Sequence, residues 1–380
     1  MNIGFAWDWE GNREKNWNGI PYLLFESMKT LDEINVYDLK INIQGFELFL
    51  YKILNLDLYE GKITCKYTFS KLYLNSVKNK LLINLNKIKR EETLDAILEF
   101  GDMSVIKDIP FYIYQDLSLD LLIKYQKENS KLITGFEFFT INDLYKRREW
   151  QLKIYEKCSG VFTMSEWLAK SLVMDTNLPK KKVHVVHTAA NVLPDKIDYN
   201  LLGKNKKEIM ILFIGRDFFR KGGEIVVEAF KILKGKFSSK LKLVIVGQKY
   251  WPLNDEIPDG VVLFGDSSWK VLRNLYMTAD LFCMPSRFEA FGQVFAEALS
   301  FGVPCIGRNL CAMPEIIKPG INGYLLDNEN PKNLAELMVK VLEDDDMKFR
   351  VKKLSKNYRS YYSWNRVAYD MVKIMKYDQI

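Results

Sequence analysis

Two doubly wound α/β domains are predicted by three features of this sequence: short apolar runs ending in glycine, amphipathic stretches alternating with them, and a length that divides naturally in two. The chain has 380 residues, and at roughly 150 residues per domain each half is long enough to bury its own core. Hydrophobic residues make up 48% and charged residues 27%, a balance that excludes a disordered or fibrous chain.

The alternation is clearest in the second half. EIMILFIG, KLVIVG, VVLFG and DLFCMPS read as strands, and EIVVEAFKILKG, KVLRNLYMTA and GQVFAEALSFG as the helices between them. Such runs suit strands buried on both faces, and the intervening lengths suit crossovers in a parallel sheet. A domain over 208–360 follows. In the first half MNIGFAW, FYIYQDLS, SGVFTMS and VHVVH are strand-like, giving a second α/β domain over 1–195. Between them NVLPDKIDYNLLGKNKKE has turn formers and charge but no apolar periodicity, so 196–207 is expected to be a linker with the cleft beside it. The last stretch is helical, with Tyr361, Trp364, Val367 and Met371 on one docking side.

Composition narrows the function. Cys65, Cys158, Cys283, Cys305 and Cys311 are odd in number and never spaced C-x-x-C, which argues against disulfides or zinc and for a reducing compartment. Acids interrupt the first apolar run, and no apolar stretch reaches about 18 residues. A cytoplasmic protein is expected. The net charge of +7 favours anionic partners, but no zinc-finger or RNA-recognition signature accompanies it, so nucleic acid is not expected.

IGRDFFRKGGEIVVEAF places Gly215 and Arg216 after a strand and Lys221 at a helix mouth, with Gly222 and Gly223 opening the turn. Glycines let the backbone approach closely, helix-start N–H groups point outward, and two cations supply charge for a pyrophosphate. A basic turn that merely caps a helix is the plainer reading. In SRFEAFGQVFAEALSFGVPCIG, Glu289 falls on a loop, Glu297 sits inside a helix opening near Gly292, and Gln293 shares its face. Carboxylates near a diphosphate are costly unless they accept hydroxyl hydrogens, as in nucleotide and sugar diols.

Residues 209–327 resemble the nucleotide-binding half of retaining GT-B glycosyltransferases of family 4, through IGRDFFRKGG, IVG, FGD, ADLFCMPSRFEAFGQVFAEALSFGVPCIG and MPEIIKPGINGYLL in that order. The resemblance implies two Rossmann-like domains facing a cleft. It implies that Arg216 and Lys221 bind the donor diphosphate, Glu297 the ribose and Glu289 the transferred sugar. Phe291 and Gly292 would contact donor through their backbone, beside Gly215, Ala290 and Gln293, and the loop at Gly265 and Asp266 would edge the base. More weakly, Gly19 falls where the family has a glycine loop near the diphosphate, CSGVFTMSEWLAKSL resembles its strand-Ser-helix unit around Ser165, and Trp364 matches the serine-tryptophan pair before a last helix, here about 363–380, that crosses back to the first domain.

Two departures stand out. Where many members carry a His near the reacting carbon, this chain has Gln115 and Asp116. Asp116 is a candidate for balancing an oxocarbenium-like transition state, or either residue caps the next helix at Ser118. The family's N-G-V-D segment appears as His187–Asn191, and His184 and His187 lack the carboxylate company of a metal site. The resemblance implies no cofactor or metal, a UDP-sugar ahead of a GDP-sugar as donor, and a glycan, lipid-linked or small-molecule hydroxyl as acceptor. Catalysis is assigned to Glu289, Arg216, Lys221 and Asp116. A nucleotide-sugar hydrolase or epimerase and a nonenzymatic binding subunit are the alternatives. From Gly61 to Arg90 there are eight Lys or Arg and no acid, with Leu74, Val77, Leu81, Leu85 and Ile88 on one stripe. That segment either lies on an anionic membrane or is a crossover helix packed on its own sheet.

Overall fold

A computed structural model of the chain describes residues 1–8, 16–129, 136–194, 208–237 and 240–378. The expected linker at 196–207 lies outside the described residues. Two compact units are formed, Met1–Thr188 with Trp364–Ile380, and Ala189–Ser363.

The first unit runs β1 (Asn2–Ala6), α1 (Ile20–Lys29), β2 (Asn35–Asp38), α2 (Gly45–Leu54), β3 (Leu56–Tyr59), β4 (Lys62–Cys65), α3 (Lys71–Ile88), β5 (Ala96–Phe100), β6 (Phe111–Gln115), α4 (Leu119–Asn129), α5 (Ile141–Lys157), β7 (Gly160–Thr163), α6 (Glu166–Met174) and β8 (Val183–Val185). Its parallel sheet has the order β2-β1-β5-β6-β7-β8, and β3 and β4 form a separate antiparallel hairpin. Every residue of β5 and β6 is buried, as expected of central strands covered by helices on both faces. Helix starts follow local chemistry: Thr140 and Asp143 make a reciprocal capping box for α5, and Ser165 caps α6 by accepting from the Leu168 N–H.

The stripe on α3 faces inward. Leu74, Val77, Leu81 and Leu85 are buried, and Val77, Leu81 and Leu85 join a core with Ile97 and Phe111. Of the two readings of this stripe, the crossover helix packed on its own sheet is the one the structure shows, and its burial there removes the apolar area that a bilayer would have to cover.

The second unit runs β9 (Ile209–Ile214), α7 (Gly223–Phe237), β10 (Leu241–Val246), β11 (Val261–Phe264), α8 (Trp269–Thr278), β12 (Leu281–Cys283), α9 (Gln293–Ser300), β13 (Cys305–Arg308), α10 (Met313–Ile316), β14 (Gly323–Leu326), α11 (Pro331–Leu342) and α12 (Asp345–Tyr361). Its strands are all parallel, in the order β11-β10-β9-β12-β13-β14. Ile225, Val226, Ala229, Phe230 and Leu233 form the buried stripe of α7.

The last helix, α13 (Trp364–Tyr377), packs on α1 within the first unit. Trp364, Val367, Met371 and Met375 supply its buried side. Polar ties hold it as well: Arg366 donates Nη2 to the His187 carbonyl at 2.5 Å, and Tyr112 donates its hydroxyl to Asp378 at 3.1 Å. His184 stands 4.0 Å from Asp378, and burial pushes its pKa below the usual range. The two histidines thus take part in seating the terminal helix.

Candidate active site

In a doubly wound sheet a ligand crevice opens at the carboxyl ends of the two strands where the connections depart in opposite directions. In the second sheet that point lies between the neighbours β9 and β12. Both charged motifs leave from there.

After β9 the chain turns through Gly215–Gly222 into α7. A Cβ on Gly222, where φ is 75°, would stand 2.6 Å from the Pro285 carbonyl oxygen, and one on Gly215 would stand 2.9 Å from Lys221 Cγ. The turn is thus pressed against the loop that follows β12, and only glycine fits the contact. Gln248, just past β10, donates Nε2 to the carbonyls of Gly215 and Arg216, each at 2.7 Å, which fixes the strand exit.

The loop after β12 is tied to the same turn. The Arg287 N–H donates to the Arg220 carbonyl at 2.8 Å, and Arg220 Nη1 donates to the Phe288 carbonyl at 2.7 Å. Arg287 also pairs with Glu224 at 2.5 Å and Glu329 at 2.6 Å, while Arg308 reaches Glu329 at 2.6 Å. Gly292 then starts α9 in a left-handed conformation, φ 95°, where a Cβ would meet the Phe295 ring at 2.8 Å. Gln248 and Arg287 were not among the predicted residues. Their signal is three-dimensional, since each acts on backbone or carboxylates distant in sequence.

Lys221 donates Nζ to Glu289 Oε2, joining the two motifs across the crevice, and both side chains are only 14% exposed. Burial lowers the Lys221 pKa, while the Glu289 charge acts in the opposite direction. Arg216 stands at the exposed mouth, its Nε 2.8 Å from Asp266, with both side chains about three-quarters accessible. Gly265 and the strand before it receive the Gly247 N–H, so the loop bearing Asp266 is anchored at the end of β10.

Glu297 lies deeper. Its Oε2 accepts from the Tyr276 hydroxyl at 2.8 Å, and its Oε1 from the N–H groups of Val192 at 3.1 Å and Asn191 at 3.3 Å. Burial raises its pKa to about 7, against the lowering effect of these donors. Gln293, one turn earlier, donates Nε2 to the Ala189 carbonyl at 2.6 Å. Phe291 buries its ring edge-on to Tyr362, and Ala290 precedes it, half-buried.

The remaining candidates belong to the first unit. Gly19 caps α1 with φ 81°, a left-handed start that favours glycine. Gln115 ends β6, buried, with Nε2 donated to the Tyr155 hydroxyl. Asp116 follows, half-buried. The helix after them takes its cap elsewhere: Ser118 Oγ accepts from the Leu121 N–H, and Gln151 accepts from the Leu119 N–H.

This arrangement offers cations, helix starts and a partly buried carboxylate at one switch point, a set able to hold an anion beside hydroxyl groups. Residues 194–360 match the family model described as Glycosyl transferases group 1. An uncharacterized glycosyltransferase of Methanocaldococcus jannaschii, MJ1607, is 30% identical over 242 residues, covering 59% of this chain and 61% of that one. The chain spans about three fifths of the length of the curated relatives it matches. Sucrose-phosphate synthase from Thermosynechococcus elongatus shares the fold with a TM-score of 0.68 at 16% identity, over 99% of this chain and 98% of that one. Anabaena Alr3699/HepE, solved with UDP and glucose, does so with a TM-score of 0.62 at 14% identity, over 99% and 100%. Residues 194–360 are thus similar to the glycosyl transferases group 1 family, and the two doubly wound α/β units share the GT-B fold of these solved structures.

Proposed function

We propose that the chain is a glycosyltransferase that binds a nucleotide-diphosphate sugar at the turn 215–223 and passes its hexose, with retention, to a hydroxyl acceptor. The observation that carries this reading is the Lys221–Glu289 pair at the switch point of the second sheet. One partner suits a phosphate oxygen and the other a sugar hydroxyl, and the glycine turn leaves room for a backbone approach. Arg216, exposed at the mouth, adds a second cation, and Glu297 is assigned to the ribose with Gly265 and Asp266 near the base.

In the reaction the acceptor hydroxyl attacks the anomeric carbon on the face from which the diphosphate departs. The bond from carbon to phosphate oxygen breaks as the new glycosidic bond forms, and the hydroxyl proton passes to the departing phosphate oxygen. Lys221, Arg216 and the starts of α7 and α9 stabilise the charge gathering on the leaving group, so no protein base and no metal ion is assigned to the step. By the family resemblance Gly19 and Gln115 are assigned to the donor, and Asp116 to balancing positive charge on the sugar. The Anabaena neighbour was solved with UDP, which supports a uridine nucleotide as the first donor to try. The acceptor is a glycan, a lipid-linked molecule or a small molecule. No helix among the described residues is long and apolar enough to cross a membrane, and a cytoplasmic site of action is proposed.

A thermal-shift panel of nucleoside diphosphates and their sugars tests the reading, because a ligand at 100 times its dissociation constant stabilises by about 2.7 kcal/mol. The expected result is a selective response to one base, followed by an axial or equatorial product that keeps the donor's anomeric configuration by NMR. Sugar release or isomer formation without acceptor would instead show a hydrolase or epimerase. Absence of any nucleotide response would sink the proposal.

A further inference from the structure

The densest run in sequence of exposed large apolar side chains among the described residues lies far from the charged motifs, on α2 and the β3–β4 hairpin. Phe46, Phe49, Leu50, Ile53 and Leu54 fall at helical spacing on one stripe of α2, and all are exposed, Phe46 at 73%. The hairpin continues the pattern. Leu58 pairs in register with Ile63, and Leu56 lies two residues away on the same face; Leu58 is 73% and Ile63 75% exposed. Eight large apolar side chains within eighteen residues are more than a soluble surface ordinarily leaves bare.

The opposite side of α2 is well anchored, so the bare stripe is not a packing failure. Glu47 pairs with Lys80 at 2.6 Å and accepts from the Ser76 hydroxyl, and the Tyr51 ring sits edge-on to Tyr73 at 5.8 Å. Leu48 and Tyr51 pack against the first unit's core. The helix is held by one face and offers the other.

Charge decides what covers it. Residues 45–90 hold nine Lys or Arg against three acids, an excess of six in a chain whose net charge is +7. Lys66 and Lys80 are paired with carboxylates; Lys52, Lys62, Lys71, Lys87, Lys89 and Arg90 are exposed. Protein interfaces are depleted in lysine, whereas Phe, Leu and Ile beside a lysine rim is the composition of a surface that inserts into an anionic lipid interface. We infer that α2 and the β3–β4 hairpin dock the protein on an anionic phospholipid bilayer, with Phe46, Phe49, Ile53, Leu58 and Ile63 entering the headgroup boundary and the lysines meeting the lipid phosphates. This reassigns membrane contact from the buried α3 stripe to the segment before it, and it stands independently of the transfer reaction because its test reads binding alone.

The test is co-flotation of the full chain with vesicles of phosphatidylcholine, alone or with phosphatidylglycerol, at low and high salt. Three proteins are compared: the wild type, Phe49→Glu/Ile53→Glu, and Lys62→Gln/Lys71→Gln. Both variants alter exposed side chains, and circular dichroism with melting curves verifies their folding. The wild type is expected to float with anionic vesicles and much less with neutral ones. The apolar variant should lose binding by at least about tenfold at either salt, and the lysine variant by a few-fold only at low salt. Failure of the wild type to bind anionic vesicles at low salt, or equal binding by the folded Phe49→Glu/Ile53→Glu variant, overturns the inference. So does a concentration-dependent dimer that this variant abolishes while vesicles capture neither protein, since the stripe would then cover a second copy.

Discussion

The carboxyl edges of the two sheets solve the same problem in opposite ways. In the second unit the edge carries formal charges that neutralise one another across the crevice, Lys221 against Glu289 and Arg287 between Glu224 and Glu329. In the first, the ends of β5, β6 and β7 carry Glu99, Gln115 and Thr163, fully or nearly fully buried. Burial raises the Glu99 pKa to about 8, against the N–H groups of Met103 and Ser104 that it accepts. Paired charges can exchange a protein partner for a ligand at little cost, because the ligand supplies the counter-charge. A neutral buried layer cannot, and instead holds its strand ends in place.

The largest effect expected from breaking this contrast is on turnover. Lys221→Ala should lower kcat/KM for transfer by about 10²–10³-fold, the usual loss when a group facing developing charge is removed, while circular dichroism shows a folded chain. Near-normal turnover in that variant would take the charge pair out of the mechanism.

Glu99→Gln sharpens the other side. The folded carboxyl holds its proton up to about pH 8, whereas in the unfolded chain it ionises near its ordinary range, about 4.5. The native state therefore binds more protons between those values, and Glu99's contribution to stability declines as pH rises through that window and is constant above it. Between pH 6 and pH 9, urea titrations should show the wild type losing on the order of 3 kcal/mol relative to Glu99→Gln, out of a full penalty of about 5 kcal/mol across the window. A pH-independent difference between the two proteins would refute the buried neutral acid.

Gly222→Ala probes the close approach of the two loops. With φ at 75° and the Pro285 carbonyl 2.6 Å from the added Cβ, it should cost about 1–3 kcal/mol in urea unfolding and blunt the nucleotide thermal shift. The smallest effect is expected from Arg216→Ala. An exposed pair with Asp266 contributes little to folding, so the melting temperature should hold while donor affinity falls by about tenfold.

The contrast also explains what the sequence made legible. The second unit's motifs are local: a strand, a glycine turn and a helix in the one continuous stretch Ile209–Phe237 place Lys221, and a second strand-loop-helix stretch places Glu289. Their meeting is then set by the strand order. The first unit's polar edge is assembled from Glu99, Gln115, Tyr155 and Thr163, which no short window contains. β5 is not legible in its own short run because Glu99 interrupts it, and the burial of that carboxyl depends on the loop N–H groups of Met103 and Ser104. The α3 stripe was visible as a stripe, but amphipathic spacing does not say what covers it. The neighbouring α2 carries the same spacing with no buried residue at all.

The most direct measurement is isothermal titration of uridine and guanosine diphosphates into the full chain and into Lys221→Met, which keeps the aliphatic stem and removes the charge. One nucleotide should bind the wild type and bind the variant roughly 10- to 100-fold more weakly, as expected for a charge-assisted hydrogen bond to phosphate. Equal affinity for the two proteins would contradict the assignment of the diphosphate to the turn between β9 and α7.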